Sequence, residues 1–295
     1  MLMSSQTTPD RVSVHAKPAL RAVGLLACCA LFLTGCESTT TVGGGSGPRI
    51  EQESSAVSSA DIASLSQVVQ ANPNDPEAWN MRGSAYARAA SYDAAIKDFN
   101  QALTLDPNFA QALGNRALVY RRQGRNDLAV ADYNRAIQVN PGYATAYVGR
   151  GNIYRQQGQV DLAMADYQRA IEIRPETAEA YHNRGLIHQS RGEHDAAIDD
   201  FTSALSNEPR ATEPYVGRGD SYLAIGKNEE ALNDYNAALG INNKIAAAWT
   251  GRGIAQERMG DRQKARESFQ RALVVDPNSR AAKDGIARTG IATTG

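Results

Sequence analysis

Small, aromatic and proline side chains recur along this chain with a period of 34 residues. Seven positions at that spacing mark the pattern: Pro73, Pro107, Pro141, Pro175, Pro209, Asn243 and Pro277. Each unit is counted from the third residue after a mark. The twentieth and twenty-seventh places of a unit are alanine, and the twenty-fourth place is aromatic. Spacings of three, four and seven place these side chains on one face of a helix. The pattern predicts six units, which span residues 76–109, 110–143, 144–177, 178–211, 212–245 and 246–279.

The first part of each unit predicts a second, earlier helix. Its fourth residue is large, as in Trp79, and its eighth is small, as in Gly83, so two helices can approach closely. The fifteenth place is glycine in five units and Ala90 in the first, which is typical of a short turn with left-handed backbone. The proline then ends the second helix of the unit. Each unit is therefore predicted to be a helical hairpin.

This order of small, aromatic and proline positions resembles the tetratricopeptide repeat. The resemblance covers all six units and implies an all-α, right-handed superhelical solenoid, whose hairpins bury their apolar faces against their neighbours. Residues 61–71 are interpreted as a lone second helix, with Leu65 at the aromatic place and Val68 at the second alanine place. Residues 280–288 are predicted to form a short closing helix. The solenoid domain is thus expected to span residues 59–290, with a half-repeat as its N-terminal cap.

Two charged columns accompany the apolar ones. The seventh place, usually leucine in the family, is arginine in every unit: Arg82, Arg116, Arg150, Arg184, Arg218 and Arg252. The twenty-third place is aspartate in five units and Ser268 in the sixth. Because a partly buried arginine needs a partner, we interpret the columns as ion pairs that join the two helices of a hairpin. The alternative is an arginine ladder that grips an acidic ligand.

The first 36 residues have the pattern of an export signal. Three basic residues precede an uncharged, mostly apolar stretch at 22–33, which is too short to span a bilayer as a permanent helix. The stretch ends in Leu-Thr-Gly-Cys, which resembles the bacterial lipoprotein box. That resemblance implies removal of residues 1–35 as a signal peptide and attachment of a diacylglycerol to the thiol of Cys36. The alternative is an uncleaved apolar start with an incidental cysteine.

Residues 36–58 are expected to be a lipidated cysteine followed by a flexible tether, because the segment after Cys36 is rich in Ser, Thr and Gly. Glu37 follows the cysteine, which in enteric lipoproteins favours the outer membrane. The expected location is therefore the cell envelope, with the solenoid anchored by lipid to the outer membrane and facing the periplasm. Cys28 and Cys29 lie in the predicted signal peptide, so the mature chain would need no disulfide.

Charge and candidate chemistry exclude several functions. The formal net charge of -1 gives no overall attraction for nucleic acid. His182, His188 and His194 recur every six residues, a spacing that a helix does not bring to one face. His188 falls at a place that is tyrosine in four units, so we interpret it as a core substitution rather than a metal ligand. We expect no enzyme activity, and no cofactor besides the covalent lipid.

Tetratricopeptide solenoids, by resemblance, bind partners in a concave groove lined by places two, five, nine, twelve and thirteen of the first helices. The candidate residues are basic and polar towards the N-terminal half and more apolar towards the other half: Arg88, Arg121, Arg122, Asn152, Arg155, Gln156, His182, Leu186, Gln189, Val216, Asp220, Leu223 and Ile254. The alternative is that these are ordinary solvated residues. The family's carboxylate clamp needs lysine and asparagine at fixed groove places, and this chain lacks that set.

Together these patterns predict a scaffold that binds proteins or peptides of the cell envelope. By resemblance, its role is similar to that of the new-lipoprotein-I type adaptors, which bring proteases or cell-wall hydrolases to their targets. Two alternatives are a pilotin that carries secretin subunits during pilus assembly and a factor in barrel-protein assembly. The sequence leaves the partner and the oligomeric state open.

Overall fold

The computed structural model describes residues 61–290, and the regular structure in that range is entirely helical. A first helix, α1, covers residues 61–71. The closing helix is α14 (Arg280–Arg288). Between them lie α2 (Pro76–Arg88), α3 (Tyr92–Leu105), α4 (Ala110–Arg122), α5 (Asn126–Val139), α6 (Ala144–Gln156), α7 (Val160–Ile173), α8 (Ala178–Ser190), α9 (His194–Asn207), α10 (Thr212–Ala224), α11 (Asn228–Ile241), α12 (Ala246–Arg258) and α13 (Arg262–Val275). The predicted signal peptide, Cys36 and the tether lie outside the described residues.

The predicted solenoid of six hairpins is confirmed. In every unit the first helix has 13 residues and the second has 14. Within a hairpin the two helices pack against each other, and the second helix also packs against the first helix of the next hairpin. Each first helix additionally contacts the first helix of the following unit. The first helices therefore form one continuous surface, which is where the groove was expected.

The aromatic residue at the twenty-fourth place fills the space between successive hairpins. Tyr133, for example, is almost fully buried. A Cβ atom added to Gly149 of the next hairpin would lie 2.3 Å from Cζ of this ring, so that glycine is required for close packing. Within one hairpin, a Cβ atom on Gly151 would lie 2.9 Å from Cε1 of Tyr167. The alanines of the twentieth and twenty-seventh places have no exposed surface in any of the six hairpins.

The second helices end in an extended residue followed by a turn. Asp106 has φ -131° and ψ 97°, the conformation that a residue before proline prefers, and its Oδ1 accepts a hydrogen bond from the backbone N–H of Asn108. At the one mark without proline, Asn242 has φ -142° and ψ 108°, and its Oδ1 accepts from the N–H of Lys244. The side-chain turn thus forms there without the help of proline.

Both ends of the solenoid are capped by single helices. Gly285 in α14 lies where the sixth place of a seventh unit would fall, and a Cβ atom on it would lie 2.5 Å from the Phe269 ring. At the other end, Val69 is buried but Val68 is 40% exposed. The alanine at the corresponding place of every full unit has no exposed surface. Within the described residues, α1 lacks the first helix of a hairpin, and Val68 stays exposed.

Candidate protein-binding groove

The arginine and aspartate columns form ion pairs within the hairpins, as predicted. In the third hairpin, Nε and Nη2 of Arg150 donate to the two carboxylate oxygens of Asp166 at 2.9 and 2.6 Å. The same two bonds form in the first, second, fourth and fifth hairpins. The hydrogen bond to the buried Asp166 raises the pKa of Arg150. In the sixth hairpin Nε of Arg252 donates to Oγ of Ser268 at 3.0 Å.

The third guanidinium nitrogen crosses to the preceding hairpin. Nη1 of Arg116 donates to Oδ1 of Asn100 at 2.6 Å, and Nη1 of Arg150 donates to Oδ1 of Asn134 at 2.6 Å. In every hairpin the acceptor is the side chain at the twenty-fifth place of the unit before: Ser66, Asn100, Asn134, Gln168, Thr202 and Asn236. Each arginine therefore connects three helices, and the column belongs to the scaffold rather than to a ligand site. The sequence contained the signal, an uninterrupted polar column at that place.

Towards the N-terminal half, the predicted basic residues are partly engaged with the protein itself. Nη1 of Arg122 donates to the backbone carbonyl of Ala87 at 3.4 Å. Arg121 lies beside the hydroxyl of Tyr133, and burial raises the pKa of that tyrosine to about 12. The Nε atom of Arg121 is buried and has no hydrogen-bond partner in the described part of the chain. The side chains of Arg88, Arg155 and Gln156 are exposed.

Two core tyrosines reach groove residues at the ninth place of their own hairpin. The hydroxyl of Tyr167 donates to Oδ1 of Asn152 at 2.8 Å, and Nδ2 of Asn152 donates to Oε1 of Glu179 at 2.9 Å. Likewise the hydroxyl of Tyr235 donates to Oδ1 of Asp220 at 2.6 Å. Hairpins with phenylalanine at the core place have Ser84, Leu186 or Ile254 at the ninth place. In the third to sixth hairpins, a core tyrosine is thus paired with a polar groove residue and a core phenylalanine with an apolar one.

Towards the C-terminal half, five predicted residues line one cavity of about 380 Å³: His182, Leu186, Gln189, Val216 and Asp220. We call it the groove cavity. Its wall also includes Glu213, Ile245 and Ala247 from the fifth hairpin and the start of the sixth. The amide of Gln189 is fixed, because its Nε2 donates to the carbonyl of Gly217 at 2.9 Å and to Oγ of Ser221 at 3.0 Å.

The last two predicted residues take a different place. Leu223 is 8% exposed and belongs to the apolar core of the fifth and sixth hairpins. Ile254 is half-buried and packs against the same core. Neither side chain lines the groove cavity, because both contact the core between the helices instead.

The C-terminal half of the groove contains more acidic residues than the set of candidate residues predicted from the sequence. A second cavity of about 170 Å³, the side cavity, shares His182 and Glu213 with the first and is lined further by Glu179 and Glu208. Glu179 and Glu213 occupy the second place of their units, so the sequence signal was present in the expected groove pattern. Burial lowers the pKa of His182, and the carboxylate of Glu213 opposes that shift. Asp220 keeps an exposed surface, but poor hydration within the groove raises the pKa of its carboxyl.

His188 lies at the edge of a hairpin rather than in the groove. Its Nδ1 is 2.5 Å from Oε2 of Glu193, and its Nε2 is 3.8 Å from Oδ2 of Asp200. Among residues 61–290, no three His, Cys, Asp or Glu side chains are grouped as a metal site would require. Over the same range no helix is both long and apolar enough to cross a membrane.

Family models match the repeat over most of the predicted solenoid. Models of the tetratricopeptide repeat match residues 76–109, 110–143, 178–210 and 246–279, and a further model of the repeat matches residues 151–192 and 219–260. The chain belongs to the tetratricopeptide-repeat family. Such repeats form scaffolds for protein interactions, and this protein is such a scaffold. No curated protein matches its sequence.

Solved structures of tetratricopeptide proteins share the fold. The Cut9-Hcn1 hetero-tetramer of the APC/C matches with a TM-score of 0.67 and 19% identity, over 80% of this chain and 46% of that chain. The chain therefore spans less than half of that relative. The pilF protein of Pseudomonas aeruginosa matches with a TM-score of 0.67 and 18% identity, over 72% of this chain and 97% of its own. YrrB, described as a protein with an unusual peptide-binding site, gives a TM-score of 0.55 and 22% identity, over 63% and 96% of the two chains.

Proposed function

We propose that this protein is an adaptor of the bacterial cell envelope that binds an extended segment of a partner protein in its groove. The groove cavity carries the proposal, because first-helix side chains of two successive hairpins line it together with the start of a third. A concave, mostly apolar site with a few polar groups is the usual form of a binding pocket. Leu186 and Val216 are half-buried there and offer apolar surface to a partner.

The arrangement of the scaffold supports binding over catalysis. The arginine column is used for hairpin packing, and the buried tyrosine hydroxyls donate to Asn152 and Asp220. The groove therefore presents a preformed surface whose side chains are held by the core beneath them. Binding to a preformed surface loses less conformational entropy than binding to a flexible one.

The lipoprotein-box sequence near the N-terminus supports an outer-membrane location for this adaptor. Cys36, in its lipoprotein-box sequence, would carry the lipid, and residues 37–58 would let the solenoid reach partners away from the bilayer. In this proposal the protein brings a protease or a cell-wall hydrolase to its target, as the new-lipoprotein-I type adaptors do.

A photo-crosslinking experiment tests the proposal. A photoreactive amino acid is placed at Val216 in the groove and, as the matched control, at Leu162, which is 52% exposed on a second helix. We expect specific adducts from cells that carry the probe at position 216, and mass spectrometry identifies the partner. A hydrolase or protease supports the adaptor role, whereas a secretin subunit would assign the pilus-assembly role. Adducts at position 162 alone would contradict binding in the groove.

A further inference from the structure

The walls of the groove cavity and the side cavity carry one sign of charge. Their charged residues are four carboxylates and no lysine or arginine: Glu179, Glu208, Glu213 and Asp220. Glu179 and Glu213 lie at the second place of the fourth and fifth hairpins, and Asp220 lies at the ninth place of the fifth. Glu208 precedes the fifth hairpin. Walls of one charge in a concave site concentrate ligands of the opposite charge. The chemistry of this half of the groove therefore matches a cation.

Apolar side chains adjoin the carboxylates. Leu186, Val216 and Ile245 line the groove cavity, and Pro214 lines the side cavity. A simple cation would gain nothing from this surface. Lysine and arginine bury their aliphatic stems on apolar surface while their charged ends remain near carboxylates. A neighbouring apolar side chain of the same ligand would cover the rest.

His182 connects the two cavities, because it is the one residue besides Glu213 that lines both. Its Nδ1 is buried and has no hydrogen-bond partner within residues 61–290. Its ring lies 5.7 Å from the ring of Phe201, so packing restricts its position. The ring is therefore held at the junction of the two cavities, where a peptide that passes from one to the other would pack against it.

We propose that the C-terminal half of the groove binds a partner segment in which a lysine or arginine stands next to a large apolar residue. The cationic group lies between Glu213 and Asp220, and the apolar side chain packs on Leu186, Val216 and Ile245. The inference rests on the proposed function and specifies the partner class at the same groove. Arg121 and Arg155 in the N-terminal half repel such a segment, so the charges also select its position along the groove.

A peptide selection tests this assignment. The full chain, purified in detergent and immobilised, is screened against a library of random seven-residue peptides. We expect enrichment of peptides with lysine or arginine beside leucine, isoleucine or an aromatic residue. The enriched peptide, labelled with fluorescein, is then titrated by fluorescence anisotropy. Glu213→Gln with Asp220→Asn should weaken its binding by about tenfold, because two charge-assisted contacts are lost.

A matched control separates local from general electrostatics. Glu229→Gln with Glu230→Gln removes the same number of charges from the same hairpin, at exposed positions of α11. We expect the control to bind as the unchanged protein does. Equal weakening in both variants, or no weakening in either, would overturn the assignment of the cation site.

The outcomes of the selection also distinguish the two proposals. Enrichment of acidic peptides whose binding is lost in Arg121→Gln with Arg155→Gln would overturn the cationic partner but leave the groove as a binding site. Absence of any peptide that depends on groove residues would overturn both. Loss of affinity in Leu186→Ala with Val216→Ala, with unchanged salt dependence, would support the apolar part of the ligand.

Discussion

The hydroxyl of Tyr235, in the core between the fifth and sixth hairpins, donates a 2.6 Å hydrogen bond to Oδ1 of Asp220 in the groove. The core residue that spaces the hairpins thus also holds a side chain of the candidate site. Burial and the nearby carboxylate raise the pKa of Tyr235, so the hydroxyl stays protonated and remains a donor at neutral pH. A hydrogen bond donated to the ionised form of a carboxyl lowers its pKa.

Tyr235→Phe should therefore raise the pKa of Asp220 further and lower the free energy of unfolding by about 1 kcal/mol. The pKa is followed by an NMR titration of the carboxyl carbon. Because the pKa of Asp220 is already raised in the folded state, its titration favours folding at low pH, and this contribution is lost as the pH rises through that pKa. Tyr167→Phe is the control, since that hydroxyl donates to Asn152. An unchanged pKa of Asp220 in Tyr235→Phe would contradict the coupling.

The pair of Arg150 and Asp166 gives a second prediction. Asp166 is 5% exposed, so Asp166→Ala leaves the guanidinium without its main partner and should cost about 1–3 kcal/mol of unfolding free energy. Arg150→Ala should also destabilise, and the double variant should lose less than the sum of both single changes. Chemical denaturation of all four proteins measures this coupling, and additive losses would show that the two residues act independently.

The exposed pair of Arg174 and Glu176 serves as the control for this cycle. Its closest approach is 3.9 Å, and both side chains are largely in solvent. Glu176→Ala should change the free energy of unfolding by about 0–1 kcal/mol, as is usual for surface ion pairs.

Ala90 gives a prediction from the backbone alone. It has φ 56°, whereas the other five hairpin turns have glycine with φ between 73° and 87°. Ala90→Gly should raise the free energy of unfolding by about 1 kcal/mol, because a side chain destabilises the left-handed conformation. Gly158→Ala should lower it by a similar amount, since a Cβ atom there would meet no atom within 4 Å and only the backbone changes. Urea denaturation measures both, and a loss of stability in Ala90→Gly would contradict this account.

Cys36→Ser tests the proposed anchor. The change removes the thiol that would carry the diacylglycerol, so we expect no incorporation of labelled fatty acid and no fractionation with the outer membrane. Serine is close to cysteine in size, so the solenoid, which begins after the tether, should keep its helical circular dichroism. A variant that still carries labelled lipid would rule out lipidation at this cysteine.

Much of the fold was predictable because a solenoid repeats the same contacts in each unit. The alanine and aromatic columns indicate helix packing, and the columns that contain Arg150 and Asp166 indicate ion pairs. Because each unit contacts only its neighbours, a contact formed in one unit recurs in the others. The candidate site was harder to predict. The charge and polarity of the site depend on places whose residues differ from unit to unit, such as the second place, which holds Glu179 and Glu213. They also depend on which of these side chains lie together. Leu223 shows the limit, because it occupies a groove place by register yet is buried in the core.

The two halves of the groove should contribute differently to binding of a protein partner. Arg121 and Arg155 are basic groove residues outside the groove cavity, where they would attract acidic groups that lie beyond the cationic part of a partner segment. Changing both to Glu should slow association with such a segment and reduce the salt dependence of the association rate. Arg122 is not substituted in this variant, because its Nη1 already donates to the carbonyl of Ala87. Leu186→Asp with Val216→Asp removes apolar contact area and should mainly accelerate dissociation. Surface plasmon resonance with the crosslinked partner measures both rates. Unchanged rates in both variants, with intact helical circular dichroism, would place the interface on the second helices instead.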